Sequence, residues 1–159
     1  MNKIDLKHLT SYEEDFALWA AEQGALIRAG KVDRIDLENV AEEIESLARS
    51  QKYQIDHRLE VLLTRLLKWQ FQPQKRSNSW RATIYEQRYR IAREIEDSPS
   101  LKHYPATVVA GSYTLGLNEA ITQTGLAETT FPPTCPWSVD QVLDQNFLPG
   151  GSEAGEAAD

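Results

Sequence analysis

One cysteine, Cys135, and one methionine are all the sulfur in this 159-residue chain. A lone thiol excludes a disulfide framework within the chain and fits a reducing compartment. Long hydrophobic runs are missing too. No purely aliphatic run exceeds three residues, as at Val61-Leu62-Leu63, against the roughly 20 apolar residues that a membrane helix requires. The opening Met1-Asn2-Lys3-Ile4-Asp5 has no apolar core of a signal sequence, so neither a secretory nor a transit peptide is expected, and the expected location is the cytoplasm. Gly24, Gly30, Gly111, Gly116 and Gly125 do not have the spacing of a phosphate-binding loop, and no alternating strand pattern or fixed-period repeat stands out. Net charge is −7, which argues against general nucleic-acid or anionic-membrane binding.

What the chain does have is helical periodicity. Leu37, Val40, Ile44, Leu47, Ala48, Gln51, Ile55, Leu59, Leu62, Leu66 and Trp69 step by threes and fours with no Gly or Pro between them. That spacing predicts one helix over Asp36 to Phe71, about 54 Å long, with Asp36 as N-cap. An earlier helix is expected from a Ser11/Glu14 capping box to Gly30, burying Tyr12, Phe16, Trp19, Gln23, Leu26 and Ile27. Pro73 ends the long helix. A third helix is expected from Ser77 or Ser79 to about Asp97 on a Trp80, Ile84, Gln87, Ile91, Ile95 stripe, and a weaker fourth from Pro105 to Thr124, closed by Gly125. Phe131-Pro132-Pro133-Thr134-Cys135-Pro136-Trp137 reads as an extended arm, and Ser138 to Gln141 as a capping box opening a short helix. The reading is an all-α bundle of about four helices around one long central helix, with a Pro-rich C-terminal arm. Residues 1–149 form a single domain in this reading, and 150–159 a disordered acidic tail.

Three stretches, Leu37-Glu38-Asn39-Val40-Ala41-Glu42-Glu43-Ile44-Glu45-Ser46-Leu47, Leu66-Leu67-Lys68-Trp69-Gln70-Phe71-Gln72-Pro73 and Ser79-Trp80-Arg81-Ala82-Thr83-Ile84, resemble a bacterial family described as domain of unknown function 29, with many cyanobacterial members. The resemblance continues through Glu96-Asp97-Ser98-Pro99-Ser100-Leu101, Thr124-Gly125-Leu126, Phe131-Pro132 and Cys135-Pro136, spanning about residues 10 to 149. It implies a helical fold and no assigned activity. Members often carry His where this chain has Arg65, so the resemblance transfers no metal role to that position.

Charge is distributed unevenly. From Arg65 to Arg93 the chain has eight cations (Arg65, Lys68, Lys75, Arg76, Arg81, Arg88, Arg90 and Arg93) against one acid, Glu86. With Trp80, Tyr85 and Tyr89 interleaved, Arg76, Arg81, Arg88, Arg90 and Arg93 could contact nucleic acid or a partner. The competing reading sets this segment against acids of the long helix, Glu42, Glu43 and Glu45, within the chain or between protomers, with Arg81 bridging to Glu42 or Glu43 as a structural pair. The acidic total favours that second reading. Glu38, Glu42 and Glu45 share a helical face, as do His57 and Glu60. No Glu-x-x-His occurs, however, and His8, His57 and His103 lie in three separate elements, so no metal site or cofactor is expected. Cys135, between Pro133 and Pro136, has no cation nearby in sequence to activate it and is expected to be a buried small hydrophobe. The functional expectation is therefore a small cytoplasmic protein-interaction or regulatory module, antitoxin-like in its size and charge asymmetry, with a protein partner or a second copy of itself. The alternative is a nucleic-acid-binding module on the basic face of the third helix. A metal-carboxylate enzyme comes third.

Overall fold

The computed structural model describes residues 4–151; the start of the chain and most of the expected acidic tail lie outside the described residues. Five α-helices follow one another: α1 (Phe16–Arg28), α2 (Leu37–Phe71), α3 (Asn78–Asp97), α4 (Tyr104–Thr124) and α5 (Val139–Leu143), joined by short 3-10 turns. There is no strand among the described residues, and the all-α class is as expected. α2 runs 35 residues without interruption. The chain divides into two compact units, one up to Ser50 and one from Gln51 onward, and α2 contributes to both.

In the first unit, α1 starts later than the sequence suggested. Ser11 to Glu14 forms a turn, and Asp15 is the N-cap, its carboxylate accepting the Leu18 amide at 3.0 Å. The short, charged Asp15 side chain reaches that amide and also favours the positive helix end, so it displaces the Ser11 capping box. The buried face of α1 is Trp19, Glu22, Gln23 and Leu26. Phe16 and Ile27, expected in the core, are exposed. The polar residues on the buried face are hydrogen-bonded: Glu22 accepts from the Thr10 amide (2.7 Å) and hydroxyl (3.1 Å). Gln23 accepts from the Asp36 amide (2.8 Å). Asp36 caps α2 through Asn39, and Trp19 donates to it from its indole N–H (3.2 Å). Polar fixtures, with the Trp19 ring against Tyr12 at 4.8 Å, join α1 to the start of α2.

The second unit holds the main core. Ile55, Leu59, Leu62, Leu63, Leu66 and Leu67 of α2 are completely buried, with Ile84 and Ile91 of α3, Tyr113 and Ala120 of α4, and Phe131 and Val142 of the arm. Each such aliphatic side chain contributes about 1.5–3 kcal/mol on leaving water. α3 is capped by Ser77, as expected, and α5 by the reciprocal Ser138/Gln141 box. α4 crosses α2 closely at Gly116, where an added Cβ would lie 3.0 Å from the Glu60 carbonyl oxygen and 3.3 Å from Leu63 Cβ. The Thr64 hydroxyl shares its proton between the Glu60 and Gly116 carbonyls, at 2.8 and 3.1 Å. The arm is anchored by Phe131 edge-on to Phe71 and by the Tyr113 hydroxyl donating to the Pro132 carbonyl at 2.6 Å.

Two tyrosines of this unit are held in their protonated form by the fold. Burial first, then the bond to Asp56, pushes the Tyr104 hydroxyl up to about 12, and burial does the same for Tyr113, against an ordinary 10.0. A phenol whose pKa is raised by folding stabilises the fold while it stays protonated. That contribution is complete below about pH 10 and disappears as pH rises through about 12, because the unfolded chain loses the proton first. Chemical denaturation at stepped pH should show stability falling across that window, with a shallower slope in Tyr113→Phe. A flat profile would contradict the assignment.

Candidate functional site

The two functional expectations fall on different surfaces. On α2 the apolar stripe changes character along its length. Leu37, Ile44 and Leu47 are 62%, 63% and 73% exposed, whereas Ile55, Leu59, Leu62 and Leu66, continuing the same face, are completely buried. Phe16, Ile27 and Val32 in the same unit are also exposed. Along one flank of the bare stripe run Glu38, Glu42 and Glu45, all exposed. Arg49 joins that flank, 2.6 Å from Glu42 and 4.0 Å from Glu45. Glu43 points the other way and accepts from the Tyr12 hydroxyl. Among the described residues no three His, Cys, Asp or Glu side chains gather as a metal site.

The basic segment has several fates. Arg88 is turned inward and nearly fully buried, its Nε donating to the Val142 carbonyl at 2.7 Å and its two terminal nitrogens to Phe147 (2.8 Å) and Gln141 (3.4 Å). Burial lowers its pKa to about 10, offset in part by Asp144; even so the guanidinium stays charged at neutral pH. Arg90 pairs with Glu86 at 2.9 Å and Arg93 with Glu96 at 3.0 Å, both along the same exposed helix, where such pairs are worth little. Arg76 donates to the Trp69 carbonyl at 2.8 Å and, with Arg81, lies over the Trp69 ring at 5.1 and 5.6 Å. On the outer face of α3, Arg81, Tyr85, Tyr89 and Arg93 follow at intervals of four and form one exposed ridge. The two tyrosine rings on it stack at 6.3 Å and 12°.

Sequence reasoning did not find the third feature, a cavity of about 470 Å³ between α2 and α4, lined by His57, Glu60, Thr64 and Arg65 on one side and Asn118, Glu119 and Gln123 on the other. Its signals were present but scattered: polar residues on the α2 face turned away from the stripe, and a glycine on α4 bringing the backbones together. At its rim Lys68 Nζ donates to Gln123 at 2.9 Å, and Gln123 in turn donates to Glu119 at 2.6 Å. Cys135 is half-buried, with its Sγ near the Trp137 carbonyl at 3.4 Å and its pKa raised by burial, which keeps it a thiol rather than a nucleophilic thiolate.

No helix among the described residues is long and apolar enough to cross a membrane. No curated protein and no solved structure matches the chain. Residues 11–148 match the family described as Domain of unknown function DUF29. That match takes in both units, the bare stripe, the basic segment and the arm, and the chain belongs to that family.

Proposed function

We propose that this chain is a cytoplasmic helical interaction module of a regulatory kind, and that the occupant of its docking face is a second copy of itself. The single observation carrying this reading is the bare half of the α2 stripe, where three large aliphatic side chains at helical spacing stand in solvent. Soluble proteins cover such contiguous apolar faces with a partner. Antiparallel pairing about Ile44 sets Val40 against the other copy's Ala48 and Leu47 against its Ala41. It also brings Arg49 towards the other copy's Glu38 on the acidic flank, so the face is complementary to itself under two-fold symmetry. The remaining acids repel across such an interface, and added salt should therefore strengthen it.

Light scattering on the purified chain should give twice the 18.1 kDa monomer mass at micromolar concentration, more completely at higher salt. Ile44→Glu should return the monomer with helix content intact. A wild-type monomer at every salt concentration would remove the reading.

A second reading, nucleic-acid binding, is favoured by the Arg81-Tyr85-Tyr89-Arg93 ridge, with its stacked, exposed rings. Bases stack on such rings while the flanking guanidinium groups meet phosphates. Arg88 takes no part because it is buried. Anisotropy of a labelled single-stranded RNA should then rise at low salt and fall in an Arg81→Glu, Arg93→Glu double variant; no change at low salt disposes of this reading.

A further inference from the structure

The last described residues lie against a cluster of cations. Arg88 fastens the Phe147 carbonyl and Pro149 is buried. The backbone then leaves the core through Gly150 and Gly151, both at positive φ (86° and 69°), a pair of conformations that suits glycine. Gly150 also leaves room for a neighbour: an added Cβ would lie 2.8 Å from a terminal nitrogen of Arg76 and 4.0 Å from Gln70 Cγ. The exit of the chain is therefore shaped around the Arg76 guanidinium.

Arg76 is held there because Pro73 opens the turn after α2, and Arg76 closes that turn with its Nε donating to the Trp69 carbonyl at 2.8 Å. Arg76 and Arg81 lie 5.1 and 5.6 Å from the centre of the Trp69 ring, so two guanidinium groups share one aromatic platform. Among the described residues the ion pairs are those of Arg49, Arg90 and Arg93, and neither Arg76 nor Arg81 meets a carboxylate there. From Val61 to Tyr85 the sequence offers no Asp or Glu. The first turn of α3, just before Arg81, carries no acid either, so the positive end of that helix adds to the same potential. After Gly151 the sequence continues Ser152-Glu153-Ala154-Gly155-Glu156-Ala157-Ala158-Asp159, with three acids at intervals of three and no cation. At about 3.3–3.6 Å per extended residue, Glu153 stays within about 7 Å of Gly151 and the eight residues span at most about 29 Å.

We infer that residues 152–159 are the occupant of the Arg76–Arg81 cluster, the Glu153 and Glu156 carboxylates pairing with the two guanidinium groups while Lys75 adds charge. Each such pair is weak by itself at a surface. The tether, however, presents the acids at an effective concentration of about millimolar, and a guanidinium offers a carboxylate two parallel donors. Opposite charge and an exit point beside Arg76 both favour this segment over a free partner. Arg81 is also the first cation of the Arg81-Tyr85-Tyr89-Arg93 ridge, so the docked segment competes there with any other anion. The docking stands whether or not that ridge binds nucleic acid.

The test compares the full chain with a chain ended after Gly151, and with the Glu153→Gln, Glu156→Gln, Asp159→Asn triple variant, by NMR of the arginine Nε–H groups. Truncation and the triple variant should each move the Arg76 and Arg81 signals in the same direction. The signals of Arg90 and Arg93, which hold Glu86 and Glu96, should stay in place. High salt should carry the full-chain signals towards the truncated values. A peptide of residues 152–159, added to the truncated chain at about millimolar concentration, should restore them, and the same peptide with Gln and Asn for its acids should not. Identical Arg76 and Arg81 signals in the full and truncated chains overturn the assignment. So does a response to truncation that the triple variant fails to reproduce, because charge then plays no part. Signals that ignore truncation but shift on dilution overturn it in favour of acids from a second copy.

Discussion

Replacing Arg88 with methionine is expected to cost about 3–5 kcal/mol, among the largest losses open to a single substitution in this chain. The guanidinium is the hub on which the C-terminal arm is fastened. It donates to Val142, Phe147 and Gln141, so it also sits at the negative end of α5, where a cation is favoured. Methionine fills much of the same volume but leaves the buried Val142 carbonyl and the part-buried Phe147 carbonyl without their donor, while Gln141 keeps the Asp144 amide, and each orphaned acceptor carries a desolvation penalty of about 1–3 kcal/mol. The arm should then detach before the rest of the second unit unfolds. Limited proteolysis should cut between residues 126 and 150 in the variant and not in the wild type. Arg88→Lys should recover only part of the loss, because an ammonium lacks the planar fork that reaches three separate oxygens. If Arg88→Met unfolds within about 1 kcal/mol of wild type, the clamp is not what holds the arm.

Gly116 should be nearly as intolerant, for the opposite reason. Arg88 supplies atoms that nothing else can, whereas Gly116 matters for the atoms it lacks. A Cβ there meets the Glu60 carbonyl at 3.0 Å and the Thr64 amide nitrogen at 3.3 Å, both backbone atoms of α2, so no flexible side chain can move aside. Gly116→Ala should cost about 1–3 kcal/mol, the better helix propensity of alanine recovering up to about 1. Gly116→Val should exceed this and break the Thr64 bond to the Gly116 carbonyl. Denaturant midpoints for both variants provide the check, and Gly111→Ala, with nothing within 4 Å of its added Cβ, is the matched control and should be neutral or stabilising.

How far the sequence could be read depended on whether a feature is local. α2, its Asp36 cap, the Pro73 and Gly125 stops, the Ser77 cap and the Ser138/Gln141 box all rest on residues within four of one another, where period and capping chemistry suffice. The start of α1 went to Asp15, one helical turn past the Ser11/Glu14 box that the spacing pointed to, because which side-chain oxygen reaches an open amide is settled by backbone geometry and not by spacing. Periodicity marked the α2 stripe as apolar throughout, but it carries no information on which half is covered, since burial at Ile55 and exposure at Ile44 depend on partners far along the chain. The same holds for the site. Arg88 looked like one more surface cation until the carbonyls of the arm met it. The cavity joins residues more than fifty positions apart, and no spacing rule links His57 to Asn118.

The fastening of Arg88 also carries a temporal consequence. Its acceptors are supplied 53 to 59 positions later in the chain, so while the polypeptide emerges from a ribosome α3 exists before anything that can receive its guanidinium. Up to that moment a fully solvated cation is the better state. Maturation of the second unit is therefore tied to the arrival of its final segment, and the nascent chain depends until then on remaining unaggregated with its aliphatic face uncovered.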